Sequence, residues 1–366
     1  MAGGKQEFVL NNNSLRILLC GPTVYDYSHI GHARMLLFYD FLARYFRFKG
    51  AHVRVIVNIT DIDYKIFVKA RSIGLTPQQV AVKFLYELLS DISSLGIEGF
   101  GYAQSSGYVD TAQKLIWQLT ESDKAYFAGG NAYLDTTNIA SYGMLAKMTK
   151  QDLSDCRLDI SPSKRSPTDI LLWNSSENFD RMFHTCALGT GIPWWHMQDS
   201  SVAVANYNGV YDIHGGASEL VYPHHECHLA QLKAITSLER PVRYWTHVGL
   251  VKIKGKKMSK SLGNTITIRE LLNRYGANPL RLYLYSKNYR EEFDFVEKEL
   301  KEYQEIDNLI RMATSSRLIK SSCFDKDFFN HIEDDFDTLG ALKTMIKAAD
   351  SYQISTAMVN IFGLKY

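Results

Sequence analysis

The stretch LRILLCGPTVYDYSHIGHARMLLFYDFLARYF, residues 15–46, decides the fold. Its first six residues form a short apolar run that ends in a Gly-Pro turn, which is typical of a buried parallel strand. From His29 onward the apolar residues recur at helical spacing. The stretch therefore predicts a strand–loop–helix unit at the start of an α/β fold.

The same alternation continues along the chain. A second strand is predicted from His52 to Ile59 and is followed by a helix rich in Lys, Phe and Leu. This is the pattern of a doubly wound parallel sheet of the Rossmann type. Short strands and Ser/Thr/Asp-rich turns interrupt it from about residue 110 to 190, as an insertion would. The pattern returns with VYDIHGG and YWTHVGLV, and from about residue 265 the chain is predicted to be almost entirely helical.

Composition sets broad limits. With 366 residues and 46% hydrophobic content, the chain can bury a large core and form more than one domain. A net charge of +2 neither requires nor excludes an RNA partner. No run of 18 apolar residues and no apolar signal-peptide core is present, which predicts a cytoplasmic protein without a membrane partner. An odd number of irregularly spaced cysteines favours a reducing compartment; they are Cys20, Cys156, Cys186, Cys227 and Cys323.

The quartet His29-Ile30-Gly31-His32 stands where the first predicted strand passes into the first predicted helix. A helix N-terminus carries unpaired N–H groups and a partial positive charge, which suits phosphate binding. Gly31 removes a side chain where an adenine ring or a phosphate must approach the backbone. The quartet alone leaves two interpretations open, a phosphate site or a helix cap beside a packed histidine.

A second motif, KMSKS, covers residues 257–261. Lysines separated by small polar residues in a Gly-flanked loop can reach a polyphosphate and neutralise the charge that develops on a leaving pyrophosphate. The alternative interpretation is a solvated surface turn. Between the two motifs lies DIHGG, residues 212–216, whose glycines suit the close approach of an adenosine.

With both motifs present in this order, the sequence resembles the class I aminoacyl-tRNA synthetases, whose HIGH and KMSKS signatures it matches. The resemblance implies that His29 and His32 hold the phosphates of ATP, bound with Mg²⁺. It implies that Lys257 and Lys260 hold the pyrophosphate, so these four are the expected catalytic residues. Glu219 stands where the family usually has an aspartate and is expected to accept from ribose hydroxyls. The expected ATP-binding residues are Gly31, Gly215, Gly216, Glu219, Met258, Ser259 and Ser261.

Further segments within residues 15–345 resemble the cysteinyl-tRNA synthetases: CGPTVYDYSHIGHAR, NITDIDYKI, SPTDILLW, PHHE and LRLYLYSKNYREEFDF. A small pocket cannot strongly reject serine by shape, because the side chains of serine and cysteine differ little in volume. A thiophilic metal can, because a thiolate binds zinc far more strongly than an alcohol does. The family accordingly holds zinc at the bottom of its amino-acid pocket, through two Cys, one His and one Glu.

The resemblance implies a zinc site formed by Cys20, Asp199, His224 and His228. Asp199 stands where the family has its second cysteine, and His228 stands at the position of the glutamate. Carboxylate and imidazole both bind zinc, but they make a harder site that prefers a thiolate less sharply. His224 and His228 are expected on one helical face, although a polar turn at the ATP pocket is another interpretation of this pair. His225 and Cys227 are alternative ligands.

Thr60 and Trp195 match positions that line the family's amino-acid pocket, although ordinary core packing would also account for Trp195. Tyr64 replaces an acidic residue of the family, which leaves strict selectivity for cysteine open. The resemblance implies activation of cysteine as an aminoacyl adenylate and its transfer to tRNA. Two other functions stay open. One is acylation of a small amine, as in the related ligase that joins cysteine to a glucosaminyl-inositol. The other is a catalytically silent regulatory paralogue.

The pattern and the resemblance together predict five regions. They are residues 1–110 (first half of the nucleotide-binding catalytic domain), 111–190 (connective insertion), 191–265 (second half, with the KMSKS loop), 266–320 (stem-contact-like region) and 321–366 (partial helical bundle). In the fourth region Arg281, Lys287 and Arg290 are expected to contact phosphates of a tRNA acceptor stem. No part that reads an anticodon is recognised, so tRNA charging is expected to be indifferent to the anticodon.

Overall fold

The structure is a computed structural model that describes residues 7–156, 159, 161–175, 188–258, 263–316 and 318–366. Its strands are β1 (Ser14–Thr23), β2 (His52–Thr60), β3 (Phe100–Gln104), β4 (Ala125–Ala128), β5 (Asn131–Leu134), β6 (Ile170–Asn174), β7 (Ile192–Pro193), β8 (Tyr211–Ala217), β9 (Val242–Val248), β10 (Val251–Ile253), β11 (Lys256–Lys257) and β12 (Phe293–Asp294).

The described helices are α1 (Ile30–Phe48), α2 (Tyr64–Ile73), α3 (Pro77–Ser94), α4 (Val109–Glu121), α5 (Lys150–Cys156), α6 (Trp195–Tyr207), α7 (Glu226–Thr236), α8 (Ile268–Tyr275), α9 (Ala277–Tyr285), α10 (Glu297–Ser316), α11 (Asp325–Glu333), α12 (Thr338–Asp350) and α13 (Thr356–Phe362). Among the residues described here, none of these helices combines the length and the apolar character needed to cross a bilayer.

A five-stranded parallel sheet with the order β3-β2-β1-β8-β9 forms the centre of the fold. Side chains of a strand alternate between the two faces of its sheet. Accordingly, Leu15, Ile17 and Leu19 pack in one core with α1, whereas Leu18 packs in another with residues of α6 and α7. Helices therefore cover both faces, which confirms the predicted doubly wound α/β fold.

Between β3 and β8 the chain forms a second, antiparallel sheet of four short strands, β4-β5-β6-β7. Its buried face packs with α4 in a separate apolar core that includes Leu119, Leu134 and Trp173. Strands β4, β5 and β6 lie within residues 111–190, the stretch predicted to be an insertion, and β7 lies just after it. The five-region division itself remains a prediction.

Six helices, α8 to α13, dominate the chain after residue 265, as the sequence predicted. The last of them packs on α1, with the rings of Phe41 and Phe362 5.6 Å apart between centroids. Arg281 of α9 donates to the carbonyl of Phe362 at 2.9 Å and pairs with Asp40 of α1. The C-terminal helices are thereby joined to the helix that opens the fold.

Candidate active site

A cavity of about 540 Å³ opens at the carboxyl ends of the parallel strands. Residues near the ends of β1, β2 and β8 line it, among them Cys20, Thr60 and Ala217. Ligands of open α/β sheets bind outside this edge of the sheet. The cavity is therefore the candidate active site, and the sequence-predicted residues can be placed relative to it.

His29 and His32 line this cavity and also cap α1. The His29 ring accepts a hydrogen bond from the backbone N–H of Gly31 at 3.2 Å, and the His32 ring accepts one from the N–H of His29 at 3.2 Å. The two rings stack with their centroids 3.8 Å apart. A Cβ on Gly31 would lie 3.0 Å from the His29 ring, so a larger residue would displace it. The histidines therefore cap the helix, as one interpretation of the quartet predicted, and they also line the cavity, while the phosphate site stays a prediction.

The first lysine of the KMSKS loop reaches the same cavity. Lys257 forms an ion pair with Glu219, and both residues line the cavity wall. Their side chains are 60% and 37% exposed, so an anionic ligand has access to the Lys257 ammonium. Met258 is buried and lies against Gly31. The other predicted loop residues, Ser259, Lys260 and Ser261, lie outside the described residues.

Gly215 and Gly216 make room for protein side chains. A Cβ on Gly215 would lie 2.2 Å from the ring of Tyr39, and a Cβ on Gly216 would lie 3.0 Å from the ring of His225. Neither glycine belongs to the described lining of the cavity, although Ala217 and Glu219 do. The space that a Cβ would take at these glycines is filled by Tyr39 and His225, and the close approach of an adenosine to their backbone stays a prediction.

Cys20, which also lines the cavity, is the centre of a buried polar cluster. Its Sγ lies 3.1 Å from Oδ2 of Asp199 and 3.2 Å from Nε2 of His224. His225 brings its Nε2 to 3.2 Å from the same sulfur, and His214 brings its Nε2 to 3.3 Å. Asp199 and His224 also pair directly with each other. Three of the four predicted ligands therefore converge.

The imidazoles of His224 and His225 each make a hydrogen bond through the ring nitrogen that faces away from Cys20. Nδ1 of His224 lies 2.9 Å from Nδ1 of His196, and Nδ1 of His225 lies 2.8 Å from Nε2 of His247. Metal-binding histidines usually have their second ring nitrogen hydrogen-bonded in this way, which fixes the tautomer and the orientation of the ring. Both rings are thus oriented with Nε2 toward Cys20.

His228, the fourth predicted ligand, does not join the cluster. Its Nδ1 lies 2.9 Å from the hydroxyl of Ser200, and its Nε2 lies 2.7 Å from the hydroxyl of Tyr211. His224 and His228 do not bring their rings to the same partners: His224 lies in the π-helical turn Val221–His225, which runs directly into α7 at Glu226. His225, which the sequence analysis ranked as an alternative, takes the place beside Cys20. Cys227 is also outside the cluster, 3.6 Å from the hydroxyl of Tyr142.

The protonation of the cluster suits a cation. Burial holds the pKa values of His214 and His225 well below the usual value, so both rings are neutral. Burial opposes ionisation of Asp199, but the neighbouring His224 outweighs it and keeps the pKa of this carboxyl below its usual value. Burial, and then the charge of Asp199, raises the pKa of the Cys20 thiol. Neutral imidazoles and an ionised carboxylate are metal-binding forms, and a bound cation would displace the thiol proton.

Trp195 connects the cluster to the rest of the cavity. Its ring lies flat on His224, with centroids 4.4 Å apart and planes 4° apart. Thr60 and Tyr64 line the same cavity, and Tyr64 is 61% exposed. Thr60 and Trp195, the two residues predicted for the amino-acid pocket, therefore line the cavity. Tyr64, which replaces an acidic residue of the family, lines it too.

The sequence analysis missed several residues that support the cluster. They are Asn58, His196, Tyr211, His214 and His247. His214 could have been found from the sequence, because it precedes the two glycines of the DIHGG segment at the end of a predicted strand. No sequence pattern marked the other four residues, because the cluster that they support is formed by residues that are distant along the chain.

The basic residues expected to contact an acceptor stem already have protein partners. Arg281 is fully buried and pairs with Asp40. Lys287 pairs with Glu299 at 2.6 Å. Arg290 donates to both carboxylate oxygens of Asp335, at 2.7 Å each. Arg281 is thus a structural residue, which corrects its expected role as a phosphate contact.

Comparison with known proteins gives consistent matches. The family profile described as "tRNA synthetases class I (C) catalytic domain" matches residues 6–305. The chain is 34% identical to the cysteine--tRNA ligase of Thermoplasma acidophilum over 360 residues, which cover 93% of this chain and 79% of that protein. It is 33% identical to the cysteine--tRNA ligase of Thermococcus gammatolerans, over 95% of this chain and 77% of that protein.

Solved structures agree in fold. A chain of the Mycobacterium tuberculosis methionyl-tRNA synthetase in complex with methionyl-adenylate superposes with a TM-score of 0.70 at 13% identity, covering 92% of this chain and 82% of that one. A chain of the Agrobacterium radiobacter LeuRS–tRNA–LeuAMS complex gives a TM-score of 0.70 at 11% identity, covering 95% and 82%. At these identities the likeness concerns the fold alone.

Proposed function

Since this chain belongs to the class I cysteinyl-tRNA synthetase family, we propose that it activates cysteine with ATP and transfers the cysteinyl group to tRNA. One observation carries the proposal. A single cavity is lined both by Cys20, Asp199 and His224 of the cluster and by His29, His32 and Lys257. An amino acid and the phosphates of ATP would therefore meet between two groups of side chains suited to them.

The phosphate end would work by positioning and charge stabilisation. The substrate carboxylate attacks the α-phosphate of ATP, which forms the aminoacyl adenylate and releases pyrophosphate. His29 and His32, capping α1, would hold phosphate oxygens at the positive end of the helix. Lys257 would exchange Glu219 for the leaving pyrophosphate, whose charge grows as the bond breaks. Lys260, Ser259 and Ser261 remain predicted partners, with Mg²⁺ accompanying the ATP.

The Cys20 cluster fits a zinc ion. Around a tetrahedral zinc, with bonds of about 2.3 Å to sulfur and about 2.0 Å to nitrogen, ligand atoms lie roughly 3.5 Å apart. The distances of 3.1 and 3.2 Å from Cys20 to its neighbours are close to this spacing. Cys20, His224 and His225 bring ligand atoms within 4.8 Å of one another and would hold the ion. Asp199, beside Cys20 and His224, is the proposed fourth ligand. A bound zinc would supply a site that prefers the thiolate of the substrate over a hydroxyl.

Selection of the amino acid would depend on the residues around this ion. Trp195, stacked on His224, and Thr60 would close the pocket around a small side chain. With Asp199 in place of a cysteine, the ligand set is harder than two thiolates would be, so discrimination against serine is expected to be weaker than in the rest of the family.

The acceptor is proposed to be tRNA. The curated relatives are named cysteine--tRNA ligases, which supports tRNA and lends no support to a small amine. Phosphate contacts by Arg290 and Lys287 would require them to exchange their partners, Asp335 and Glu299, for RNA phosphates. A cytoplasmic location, where tRNA is charged, remains part of the proposal.

The test is ATP–pyrophosphate exchange across a panel of amino acids, followed by charging of total tRNA. Exchange that depends on cysteine, with cysteinyl-tRNA formed, is the expected result. Exchange without charging would indicate the small-amine ligase. If no amino acid supports exchange, the silent-paralogue interpretation replaces this one. Charging that depends on the anticodon would contradict the expectation that the anticodon is not read.

A further inference from the structure

The segment that follows the KMSKS loop is bonded directly to the HIGH segment. The backbone N–H of Ile30 donates to the carbonyl of Ile266 at 3.0 Å, and the N–H of Ile268 donates to the carbonyl of Ser28 at 3.0 Å. His29 and Thr267 form an antiparallel bridge between these bonds. The HIGH segment, at residues 28–30, and the segment after the KMSKS loop, at residues 266–268, are therefore joined by one isolated antiparallel bridge with its two hydrogen bonds.

The base of the lysine loop is closed next to this bridge. The side-chain amide of Asn264 donates to the carbonyl of Lys257 at 3.1 Å. Met258 is buried, and its Cε would lie 3.3 Å from a Cβ on Gly31. Both ends of the loop are thus tied, one to Gly31 and the other to the bridge at Thr267.

Arg269 holds the outer side of the bridge. Its guanidinium lies 4.1 Å from the centroid of the Tyr27 ring, immediately before the bridged segment. It also pairs with Glu87 at 2.7 Å and with Asp91 at 3.1 Å, both on α3. Tyr27 lines the active-site cavity, whereas Arg269, Glu87 and Asp91 do not belong to its described lining. Arg269 therefore touches the wall of the site from outside.

We propose that Arg269 is a positioning residue that fixes the lysine loop relative to His29 through Tyr27 and α3. A flat guanidinium can stack on Tyr27 and pair with two carboxylates at once, and a lysine ammonium cannot reproduce this geometry. The proposal rests on the proposed function, because it assigns Arg269 to the step in which the loop stabilises the leaving pyrophosphate. An interaction that matters only in that transition state affects kcat and leaves the KM for ATP nearly unchanged.

The experiment measures cysteine-dependent ATP–pyrophosphate exchange for the wild type, Arg269→Gln and Arg269→Lys. Both variants are expected to lower kcat about tenfold, with the KM for ATP within about twofold of the wild type. Arg269→Lys keeps a cation beside the buried Asp91, so it covers the case in which Arg269→Gln does not fold. Arg274→Gln is the matched control, because Arg274 lies on the same helix and pairs only at the surface with Glu297. It is expected to leave kcat and KM unchanged.

Hydrogen exchange gives a readout that does not need activity. The amides of Ile30 and Ile268 are expected to exchange faster in Arg269→Gln than in Arg274→Gln. Wild-type kcat in both Arg269 variants, or equal losses in Arg269→Gln and Arg274→Gln, overturns the proposal. If the wild type is inactive but Ile30 and Ile268 exchange faster in Arg269→Gln, the proposed function is overturned. The proposal that Arg269 anchors the bridge then still holds. Unchanged amide exchange overturns the anchoring itself.

Discussion

The side-chain amide of Asn58 donates a 2.7 Å hydrogen bond to Oδ1 of Asp199. The hydroxyl of Ser105 donates to the Oδ1 of Asn58 at 3.0 Å, which orients the amide. All three residues are buried. One oxygen of Asp199 is therefore held by Asn58, and the other faces Cys20 and His224. This arrangement suits a carboxylate and would leave Asn58 without an acceptor if a thiol stood at position 199.

Replacing Asp199 by cysteine is expected to sharpen discrimination of cysteine over serine, because the site becomes softer. It is also expected to lower the free energy of unfolding by about 1–3 kcal/mol, because the buried amide of Asn58 loses its acceptor. The ratio of kcat/KM for the two amino acids in pyrophosphate exchange measures the first effect, and urea unfolding measures the second. An unchanged ratio would mean that Asp199 does not set selectivity.

His225 and His228 are expected to differ in their effect on zinc. His225→Gln should weaken zinc binding at least about a hundredfold, because a ligand is lost. His228→Gln should bind zinc nearly as the wild type does, because both ring nitrogens of His228 face Ser200 and Tyr211. Competition with a chromophoric chelator gives both affinities. If His228→Gln weakened zinc binding more than His225→Gln did, His228 and not His225 would be the ligand.

Lys257→Ala is expected to lower kcat for pyrophosphate exchange at least tenfold, which corresponds to about 1.4 kcal/mol of transition-state stabilisation. Its neighbour Lys256 is exposed and does not line the described cavity, so Lys256→Ala is the control. Equal activity of the two variants would show that the charge of Lys257 has no part in the reaction.

Acid is expected to destabilise the fold partly through His247. Burial, with the charge of Arg290 as a second cause, lowers the pKa of His247 to about 4. Between that value and the unfolded value of about 6.5 the unfolded chain binds more protons, so stability rises with pH in this window and is lost as pH falls through it. Urea unfolding at about pH 5 and about pH 7 should give a smaller difference for His247→Asn than for the wild type. His52→Asn, at an exposed position of β2, is the control.

Arg281→Gln is expected to lower the free energy of unfolding by about 3–5 kcal/mol, because it leaves Asp40 buried without its partner. Lys365→Gln removes an ion pair with Glu98 in which both side chains are more than 60% exposed, and its cost should not exceed about 1 kcal/mol. Chemical denaturation of both variants tests this. A small loss for Arg281→Gln, with weakened tRNA charging, would restore its role as an RNA contact.

The fold was predictable from the sequence, and so was the junction at which His29 and His32 line the cavity, because both depend on local patterns. The alternation of strands and helices locates β1 and α1, and His29 with its neighbours stands at their junction. The location of such a motif can be inferred without knowing the rest of the fold. A helix that follows a parallel strand begins at the carboxyl edge of the sheet, where ligands bind.

The metal end was predicted only in part, because it depends on distances between elements. Cys20, Asp199 and His224 could be aligned with the family, but the choice between His225 and His228 depends on where α7 begins. Arg281 was predicted to be an exposed phosphate contact, but it is fully buried. A basic residue in a helix is usually exposed, and only the fold reveals that Asp40 and the carbonyl of Phe362 surround its guanidinium.

The packing of α13 on α1 has a consequence for how the chain is made. Phe41 leaves the ribosome about 320 residues before Phe362, an interval of roughly 15–60 s at 5–20 residues per second. Throughout it, the apolar surface of α1 that Phe362 covers and the carboxylate of Asp40 stay unmatched, since their partners are not yet synthesised. Contacts so distant along the chain also form slowly. The first helix can therefore complete its native packing only after Phe362 has been synthesised.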